Sequence, residues 1–300
     1  MGAGIAAKFA LAGFETIVVE THPQSRERLP ALVQDIFVEM EEADVITANT
    51  SEKAAALIRT TASLCELAQA EFVIEAIPEV LELKQSVYAE LEAIVAGDAI
   101  IASNTSGFMP NLLAADMHRP QRFIIAHFWN PPHFLPLVEV VPGTSTSRAA
   151  VEVTMDLLAK IDAQPVLLEK AIPGFIGNRI QFAVLREALN IVRMGAADAA
   201  TVDAVMRASL GRRYNMTGPF ESADLGGLNT LLTIGSHLMP ELAKDEDVLE
   251  LLRSHAERGA TGARAGQGFY QWDQQRLDAL KARRRTALAT TGAPKVNDEP

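Results

Sequence analysis

The chain has 300 residues, of which 48% are hydrophobic and 22% charged, and its formal net charge is −11. Chains longer than about 250 residues usually fold as more than one domain, and this composition excludes an intrinsically disordered protein. The acidic balance argues against nucleic acid and anionic membranes as partners, and a single cysteine, Cys65, excludes a disulfide framework or a cysteine-ligated metal site.

The longest uncharged stretch, residues 99–115, carries several polar side chains, so no membrane span is predicted. The apolar amino terminus leads directly into a strand-like segment without a cleavage site, which argues against a signal peptide. We therefore expect a cytoplasmic protein without a metal site.

The first 140 residues alternate short apolar strands with helices. Helices are predicted at residues 2–12, 26–43 and 80–95, and strands at 16–19, 72–77, 99–102, 122–127 and 137–141. The first helix stops at Gly13, a residue type that commonly terminates helices. Buried strands that alternate with helices indicate a parallel sheet with right-handed crossovers. We expect an α/β, doubly wound domain over residues 1–170.

The pattern changes after about Lys170. Helical patterning covers residues 175–195, 199–210, 219–243 and 246–258, and no strand is predicted before residues 268–270. The sequence therefore predicts an all-α second domain over residues 171–272. Residues 273–300 are polar, then basic, and are expected to form a terminal helix and a frayed tail.

The start of the chain resembles part of a dinucleotide-binding motif. Gly2 and Gly4 open the first helix, and Glu20 ends the strand that follows. In such motifs the helix N-terminus binds the pyrophosphate and an acid about 20 residues on binds the adenosine ribose. The alternative is that the glycines serve only close packing of the helix on the sheet. A preceding strand and two motif glycines are missing, so we expect the native chain to carry roughly 8–15 more amino-terminal residues.

His127 and Glu139 are candidates for acid–base chemistry. His127 ends a predicted strand, and Glu139 lies twelve residues further on, in the next strand, after a proline-rich loop. A hairpin-like return would bring the carboxylate against the imidazole, fix its tautomer and stabilise the imidazolium. Oxidation of a secondary alcohol needs such a base, because the hydroxyl loses its proton as the hydride leaves. The alternative is a structural histidine that bonds a loop carbonyl.

Several motifs follow one another in a consistent order. They are Phe72–Ala76 with Glu79 and Lys84, Ser103-Asn104-Thr105-Ser106, His127-Phe128-Trp129-Asn130-Pro131, Leu137-Val138-Glu139, residues 173–179, residues 218–224 and residues 266–270. Together they resemble the L-3-hydroxyacyl-CoA dehydrogenase family, in which S-N-T-S is followed by H-F-F-N-P and then L-V-E. The resemblance extends from Met1 to about Trp272, and it implies a Rossmann-type NAD-binding domain followed by a helical domain that commonly dimerises.

The resemblance also implies catalytic roles for five residues. His127 would be the acid–base residue and Glu139 its partner. Ser106 and Asn130 would contact the substrate oxygen and keep the catalytic geometry, and Asn178 would reach the same site from the start of the second domain. The structural alternatives are a helix N-cap or a turn residue before Gly107 for Ser106, and helix capping for Asn178.

The cofactor implied by the resemblance is NAD. The residues assigned to it are Gly2, Glu20, Glu79, Lys84, Ser106 and Asn130. Glu20 would accept from both ribose hydroxyls and repel a 2′-phosphate, which favours NAD over NADP, although Arg26 and Arg28 lie nearby. For Glu79 and Lys84 the alternative is a solvated pair at the start of a helix.

The acyl-CoA part of the family's substrate is matched less well. Coenzyme A phosphates require Lys or Arg, but the segment between Glu20 and Phe72 has four cations against nine acids. Lys53 and Arg59 are the cations that would have to supply the charge. A proline, Pro136, also precedes Leu-Val-Glu where thioester enzymes commonly carry lysine. This variant is similar to relatives that act on free hydroxy acids, such as gulonate or carnitine dehydrogenases, and to lambda-crystallin.

We therefore expect NAD-dependent, reversible oxidation of the 3-hydroxyl of an L-3-hydroxyacyl-CoA. The alternatives are a dehydrogenase of a free 3-hydroxy acid without CoA and a non-catalytic, crystallin-like binding or structural protein. The set formed by His127, Glu139, Asn130 and Ser106 argues against the last. A homodimer is expected, with the apolar run over residues 225–234 as its candidate surface.

Overall fold

The computed structural model describes residues 1–244 and 246–290. The chain divides into two compact units: the first contains Met1–Asn178 and the stretch that begins at Leu280, and the second contains Arg179–Ala279. The frayed tail expected at the carboxyl terminus falls on residues 291–300, which lie outside the described residues.

Seven strands and six complete helices build the described part of the first unit. The strands are β1 (Thr16–Val19), β2 (Ile58–Thr61), β3 (Phe72–Glu75), β4 (Ile100–Ser103), β5 (Phe123–Phe128), β6 (Leu137–Pro142) and β7 (Gln164–Leu167). The helices are α1 (Gly2–Leu11), α2 (Pro23–Glu42), α3 (Ala48–Ala56), α4 (Leu81–Ile94), α5 (Pro110–Leu113) and α6 (Arg148–Lys160), and α7 (Gly177–Arg193) begins here. Short 3₁₀ turns occupy Leu64–Leu67 and Pro120–Arg122.

The strands form two sheets. β1 and β2 pair in parallel, and the larger sheet has the order β3-β4-β5-β6-β7. Strands β3, β4 and β5 run parallel, β6 is antiparallel to β5, and β7 is parallel to β6. In the described part of the chain, no strand pairs with both β1 and β3. The Rossmann-type α/β fold expected for this half of the chain is confirmed, and the sheet is mixed rather than wholly parallel.

The larger sheet is buried on both faces, as its continuous apolar strands predict. On one face, Phe123 and Ile125 of β5 pack with Tyr88 of α4. On the other face, Ile124 of β5 packs with Leu158 of α6. Each fully buried side chain of this size contributes about 1.5–3 kcal/mol of transfer free energy, so β5 is a rigid support for the residues at its end.

Five elements of the first unit were not predicted: α3, β2, α5, α6 and β7. β2 has the sequence Ile-Arg-Thr-Thr, with Arg59 exposed, and so lacks the apolar run by which buried strands are recognised. β7 contains Pro165, a residue that argues against a strand because it removes a backbone donor. The start of α6 is better marked in sequence, because Ser147 caps it by accepting from the Ala150 amide at 3.1 Å.

The second unit is helical, as expected. After α7 its helices are α8 (Ala199–Ala208), α9 (Leu210–Arg213), α10 (Pro219–Gly226), α11 (Leu228–Leu238) and α12 (Leu249–Glu257), and α13 (Gln274–Thr290) follows. Short 3₁₀ turns occupy Met239–Glu241 and Ala263–Ala265. None of the helices described in residues 1–244 and 246–290 is long and apolar enough to cross a membrane.

The strand predicted at residues 268–270 is wrong. The structure has only isolated bridges there, between Gly262 and Gln267 and between Gln267 and Gln271. Gly262 and Gly266 both adopt positive φ, at 112° and 75°, and so turn the chain too tightly for a ladder to extend.

Candidate active site

The larger sheet brings chemically active side chains to one of its edges. Glu75 and Ser103 are the last residues of the parallel strands β3 and β4, and His127 is the next-to-last residue of β5. The carboxyl ends of parallel strands lie at the same edge, which is where such sheets bind ligands. Since β6 runs antiparallel, Glu139 near its start reaches the same edge.

His127 and Glu139 form a buried pair. They are direct register partners in the β5–β6 ladder, and His127 Nδ1 lies 2.9 Å from Glu139 Oε2. Their exposed fractions are 5% and 1%. His127 Nε2 makes no hydrogen bond with any of the described residues, so it is the ring nitrogen free for proton exchange. The hairpin-like return expected from the sequence is therefore confirmed.

Glu139 is held as an anion by four donors. Oε2 accepts from His127 and from the indole N–H of Trp129 at 3.2 Å, while Oε1 accepts from the amides of Ile176 and Gly177 at 2.8 and 2.9 Å. Burial opposes ionisation, but the bonds from His127, Gly177, Ile176 and Trp129 outweigh it and hold the pKa of Glu139 at about 2. The negative charge that stabilises an imidazolium is thus present throughout the neutral range.

The start of α7 connects this pair to a second group of residues. The amides of Ile176, just before α7, and of Gly177, its first residue, bind Glu139, which also places a negative charge at the helix N-terminus. Phe175, in the turn before α7, is fully buried with its ring centroid 5.5 Å from that of His127. Asn178 Nδ2 donates to the carbonyl of Ser106 at 3.1 Å. Asn178 therefore joins two loops, and the capping alternative does not describe this contact.

The loop that carries Ser106 is built on Glu79. Glu79 Oε1 accepts from the amides of Ser106 and Gly107 at 3.2 and 3.3 Å and from the hydroxyl of Thr105. Burial raises the pKa of Glu79, but the bond from Thr105 and the charge of Lys84 outweigh it, so the pKa lies below its ordinary value. Ser106 caps no helix, because α5 starts at Pro110 with Met109 as its N-cap residue.

Lys84 is not part of a solvated pair, so that alternative is wrong. The side chain is 1% exposed, and Nζ lies 2.7 Å from Glu75 Oε1 and 3.2 Å from Glu79 Oε2. A buried ammonium needs such partners, because its desolvation is costly. One cation thus joins the end of β3 to the carboxylate that shapes the Ser106 loop.

Glu75, Tyr88 and Ser103 complete this buried cluster and were not predicted as site residues. Glu75 Oε2 accepts from the Tyr88 hydroxyl at 2.5 Å and from Ser103 Oγ at 2.8 Å. Burial and the neighbouring Glu75 charge raise the pKa of Tyr88, so the phenol stays protonated and donates. The available signal was an acid inside the apolar run Phe72–Ile77, where an uncompensated charge would be destabilising.

Asn130 is not drawn into this network. It is exposed, precedes the cis peptide to Pro131, and its side chain makes no hydrogen bond to the residues the structure describes. Asn104, which was not predicted as a site residue, makes a hydrogen bond at this edge of the sheet. Its Oδ1 accepts from the Phe128 amide at 2.9 Å. Asn104 thereby ties the end of β4 to the end of β5.

The residues near α1 fit a bound dinucleotide. The first turn of α1 has neither an acidic residue nor a side-chain cap, so its amides can face an anion, and a Cβ on Gly2 would lie 3.9 Å from that of Ala76. Glu20 Oε1 accepts from the His22 amide at 2.9 Å, and Oε2 has no partner in the described part of the chain. Arg26 donates to the backbone carbonyl of Glu20 at 2.9 Å rather than to its carboxylate.

The two cations expected to serve coenzyme A differ in availability. Arg59 is ion-paired with Glu66. Lys53, in the last turn of α3, is exposed and makes no ion pair with a described residue. Across residues 1–244 and 246–290, no group of three or more His, Cys, Asp and Glu side chains is placed to hold a metal ion.

Comparison with known proteins identifies both halves of the chain. Residues 1–172 match the family model for the NAD binding domain of 3-hydroxyacyl-CoA dehydrogenase, and residues 174–272 match the model for its C-terminal domain. The first half of the chain is therefore an NAD-binding domain.

Individual relatives differ in the substrate that they are named for. A 3-hydroxybutyryl-CoA dehydrogenase from Bradyrhizobium diazoefficiens is 34% identical over 91% of this chain and 92% of its own. An L-carnitine dehydrogenase from Streptomyces griseus is 30% identical over 94% of this chain and 87% of its own. The crystal structure of 5-formyl-3-hydroxy-2-methylpyridine 4-carboxylic acid 5-dehydrogenase, an NAD⁺-dependent dismutase, is 28% identical with a TM-score of 0.88, covering 97% of this chain and 94% of that one.

Proposed function

The chain belongs to the 3-hydroxyacyl-CoA dehydrogenase family, and we propose that it reversibly oxidises the 3-hydroxyl of an L-3-hydroxyacyl-CoA to a 3-keto group. The observation that carries this proposal is the pair formed by His127 and Glu139 at the ligand-binding edge of an NAD-binding sheet. NAD, when bound to this domain, would supply the acceptor for the hydride of the carbinol carbon.

His127 supplies the base. Nε2 takes the hydroxyl proton as the hydride leaves, and Glu139, ionised by its four hydrogen bonds, stabilises the resulting imidazolium through Nδ1. In the reverse direction the same imidazolium returns the proton to the carbonyl oxygen. General acid–base catalysis of this kind contributes about 10²–10⁴-fold to the rate.

Ser106, Asn130 and Asn178 bind and orient the reacting groups in this proposal. Ser106 is exposed on the loop that Glu79 holds, and the bond from Asn178 to its carbonyl fixes that loop against the start of α7. Asn130 lies two residues after the end of β5, and its side-chain amide has no partner among the described residues, which leaves it free for a ligand. For the cofactor we assign Gly2, Glu20, Glu79 and Lys84, together with Ser106 and Asn130.

A free 3-hydroxy acid is the second candidate substrate. It is favoured by the ion pair that neutralises Arg59, since fewer cations remain for the phosphates of coenzyme A. The similarity to an L-carnitine dehydrogenase supports the same alternative.

The test is NADH formation from a panel of substrates. The panel comprises 3-hydroxybutyryl-CoA, free 3-hydroxybutyrate, carnitine, gulonate and 5-formyl-3-hydroxy-2-methylpyridine 4-carboxylic acid, the compound in the name of the structural relative. A kcat/KM for the thioester at least tenfold above the others supports the main proposal, and preference for a free acid supports the second. If no panel member reduces NAD while NAD itself binds, a non-catalytic role replaces both.

We also propose a cytoplasmic homodimer whose second domain, residues 171–272, serves substrate binding and dimerisation. Phe220, Leu225, Leu228 and Leu232 of α10 and α11 have exposed fractions of 86%, 81%, 62% and 70%. Contiguous apolar surface of this kind marks an interaction site, and a second copy of the chain is its proposed occupant. Cys65, free and exposed, supports the reducing compartment.

A further inference from the structure

Trp129 lies against the residues that hold the catalytic pair. Its indole Nε1 donates to Glu139 Oε2 at 3.2 Å, and its ring centroid is 6.2 Å from that of His127. The indole also lies close against Gly177, where an added Cβ would collide with Trp129 Cζ2 and come within 2.9 Å of Cε2. Trp129 therefore contacts both the carboxylate and one of the two residues whose amides bind it.

Trp129 and His127 share a single acceptor atom. Both Nε1 of Trp129 and Nδ1 of His127 donate to Glu139 Oε2, while Oε1 is occupied by the amides of Ile176 and Gly177. Each additional donor draws electron density from a carboxylate and lowers its basicity. In the described part of the chain Glu139 is the one charged side chain that pairs with His127, so its basicity governs the imidazolium.

We propose that Trp129 is a positioning residue that weakens the support Glu139 gives to protonated His127, and that Gly177 is the residue that lets the indole reach Glu139. The proposal rests on the proposed function for its catalytic meaning. Its consequence is that the base becomes available at a lower pH than the pair of His127 and Glu139 would allow alone.

Trp129→Phe is the direct test, because phenylalanine keeps an aromatic ring and removes the N–H. With one donor fewer, Glu139 becomes more basic and the imidazolium more stable. The acid limb of the kcat/KM profile for alcohol oxidation should then move to higher pH, by roughly half a unit. The KM for NAD should stay unchanged. Trp272→Phe, the same change at the other tryptophan, should leave the profile in place. An acid limb that does not move in Trp129→Phe overturns the proposal.

Histidine NMR tests the same coupling without any turnover. The chain has six histidines, and the His127 signal is identified by its loss in His127→Gln. Its titration midpoint should rise in Trp129→Phe and stay constant in Trp272→Phe. If His127→Gln retains full activity, the proposed function fails, while the NMR midpoint still decides whether Trp129 acts on His127. An unchanged midpoint removes the proposal even in a fully active enzyme.

A double-mutant cycle tests the part played by Gly177. The methyl group of Gly177→Ala collides with the indole and should displace it, so the acid limb should move in the same direction as in Trp129→Phe. The shorter ring of phenylalanine leaves room for the methyl group. In the Trp129→Phe background Gly177→Ala should therefore add no further shift. Additive shifts would show that Gly177 acts on Glu139 independently, which contradicts its proposed role.

Discussion

Asn178 donates from Nδ2 to the carbonyl oxygen of Ser106 across 3.1 Å, and this one bond joins two separately built halves of the site. On one side, the amides that precede Asn178 bind Glu139 and so hold the carboxylate of the catalytic pair. On the other, the Ser106 loop is shaped by Glu79 and, through it, by buried Lys84. The Asn178 bond thus connects the residues that hold Glu139 to the residues that hold the Ser106 loop.

His127→Gln should lower kcat by roughly 10²–10⁴, because the base is lost while the ring's place is filled by a polar side chain. NADH affinity, measured by fluorescence titration, should be nearly unchanged. His118→Gln, at an exposed position of the first unit, is the matched control and should keep wild-type turnover. A kcat close to wild type in His127→Gln would remove the assignment of the base.

Glu139→Gln should reduce the pH dependence of stability. The pKa of Glu139 is held at about 2, against 4.5 for an ordinary glutamate, so its contribution is fully present above pH 4.5 and is lost as the pH falls towards 2. The contribution at neutral pH is of the order of 3 kcal/mol or less. Urea unfolding at pH 7 and at pH 3 should show a smaller difference in unfolding free energy for Glu139→Gln than for wild type. Equal differences would mean that Glu139 is not held as an unusually stable anion.

Glu75→Gln should destabilise the first unit strongly. It would leave Lys84, 1% exposed, with Glu79 as its sole carboxylate partner in the described part of the chain, and breaking a buried pair typically costs about 3–5 kcal/mol. Tyr88→Phe removes one hydrogen bond to the Glu75 carboxylate and should cost less, about 1.5–3 kcal/mol. Glu82→Gln, exposed on the same helix, is the control. If urea unfolding gives Glu75→Gln a free energy of unfolding no lower than that of Tyr88→Phe, Glu75 is not the main partner that stabilises buried Lys84.

How much of this site the sequence reveals depends on where each partner lies. The pairing of His127 with Glu139 is predictable, because a short loop between two apolar strands fixes an antiparallel register. The bond from Trp129 to Glu139 is not, since an aromatic residue after a buried strand is ordinarily part of the core. The burial of Lys84 is not predictable for a similar reason: lysine on a helix is usually solvated, and only the folded sheet shows Glu75 beneath it.

The fold follows the same division. The strands β3 to β6 are predictable from their short apolar runs. β7 contains Pro165, and it forms a strand because it pairs in parallel with the edge of β6. Tertiary pairing outweighs local propensity at such positions.

Binding of an acyl-CoA should depend on Lys53. Its ammonium is exposed without an ion-pair partner among the described residues, whereas Arg59 is already paired with Glu66. If the substrate is a thioester, Lys53→Glu should raise its KM, and the KM should rise steeply with added salt because exposed charges are screened. Arg59→Glu should have the smaller effect. If the KM for 3-hydroxybutyryl-CoA is the same in both variants and does not change with salt, a free hydroxy acid is favoured as the substrate.

Leu232→Asp should convert the protein to a monomer if α10 and α11 form the dimer surface. Leu232 is 70% exposed, so the substitution removes no packing within one chain, but a carboxylate buried between two copies would be desolvated without a partner. Light scattering should give twice the 32.4 kDa of one chain for wild type and a single chain mass for Leu232→Asp. Val153→Asp is the control for the added charge, because it replaces a similarly exposed apolar side chain on α6 of the first unit. It should leave the dimer intact. A wild-type monomer would rule out the homodimer, and a dimer that survives Leu232→Asp would place its interface elsewhere.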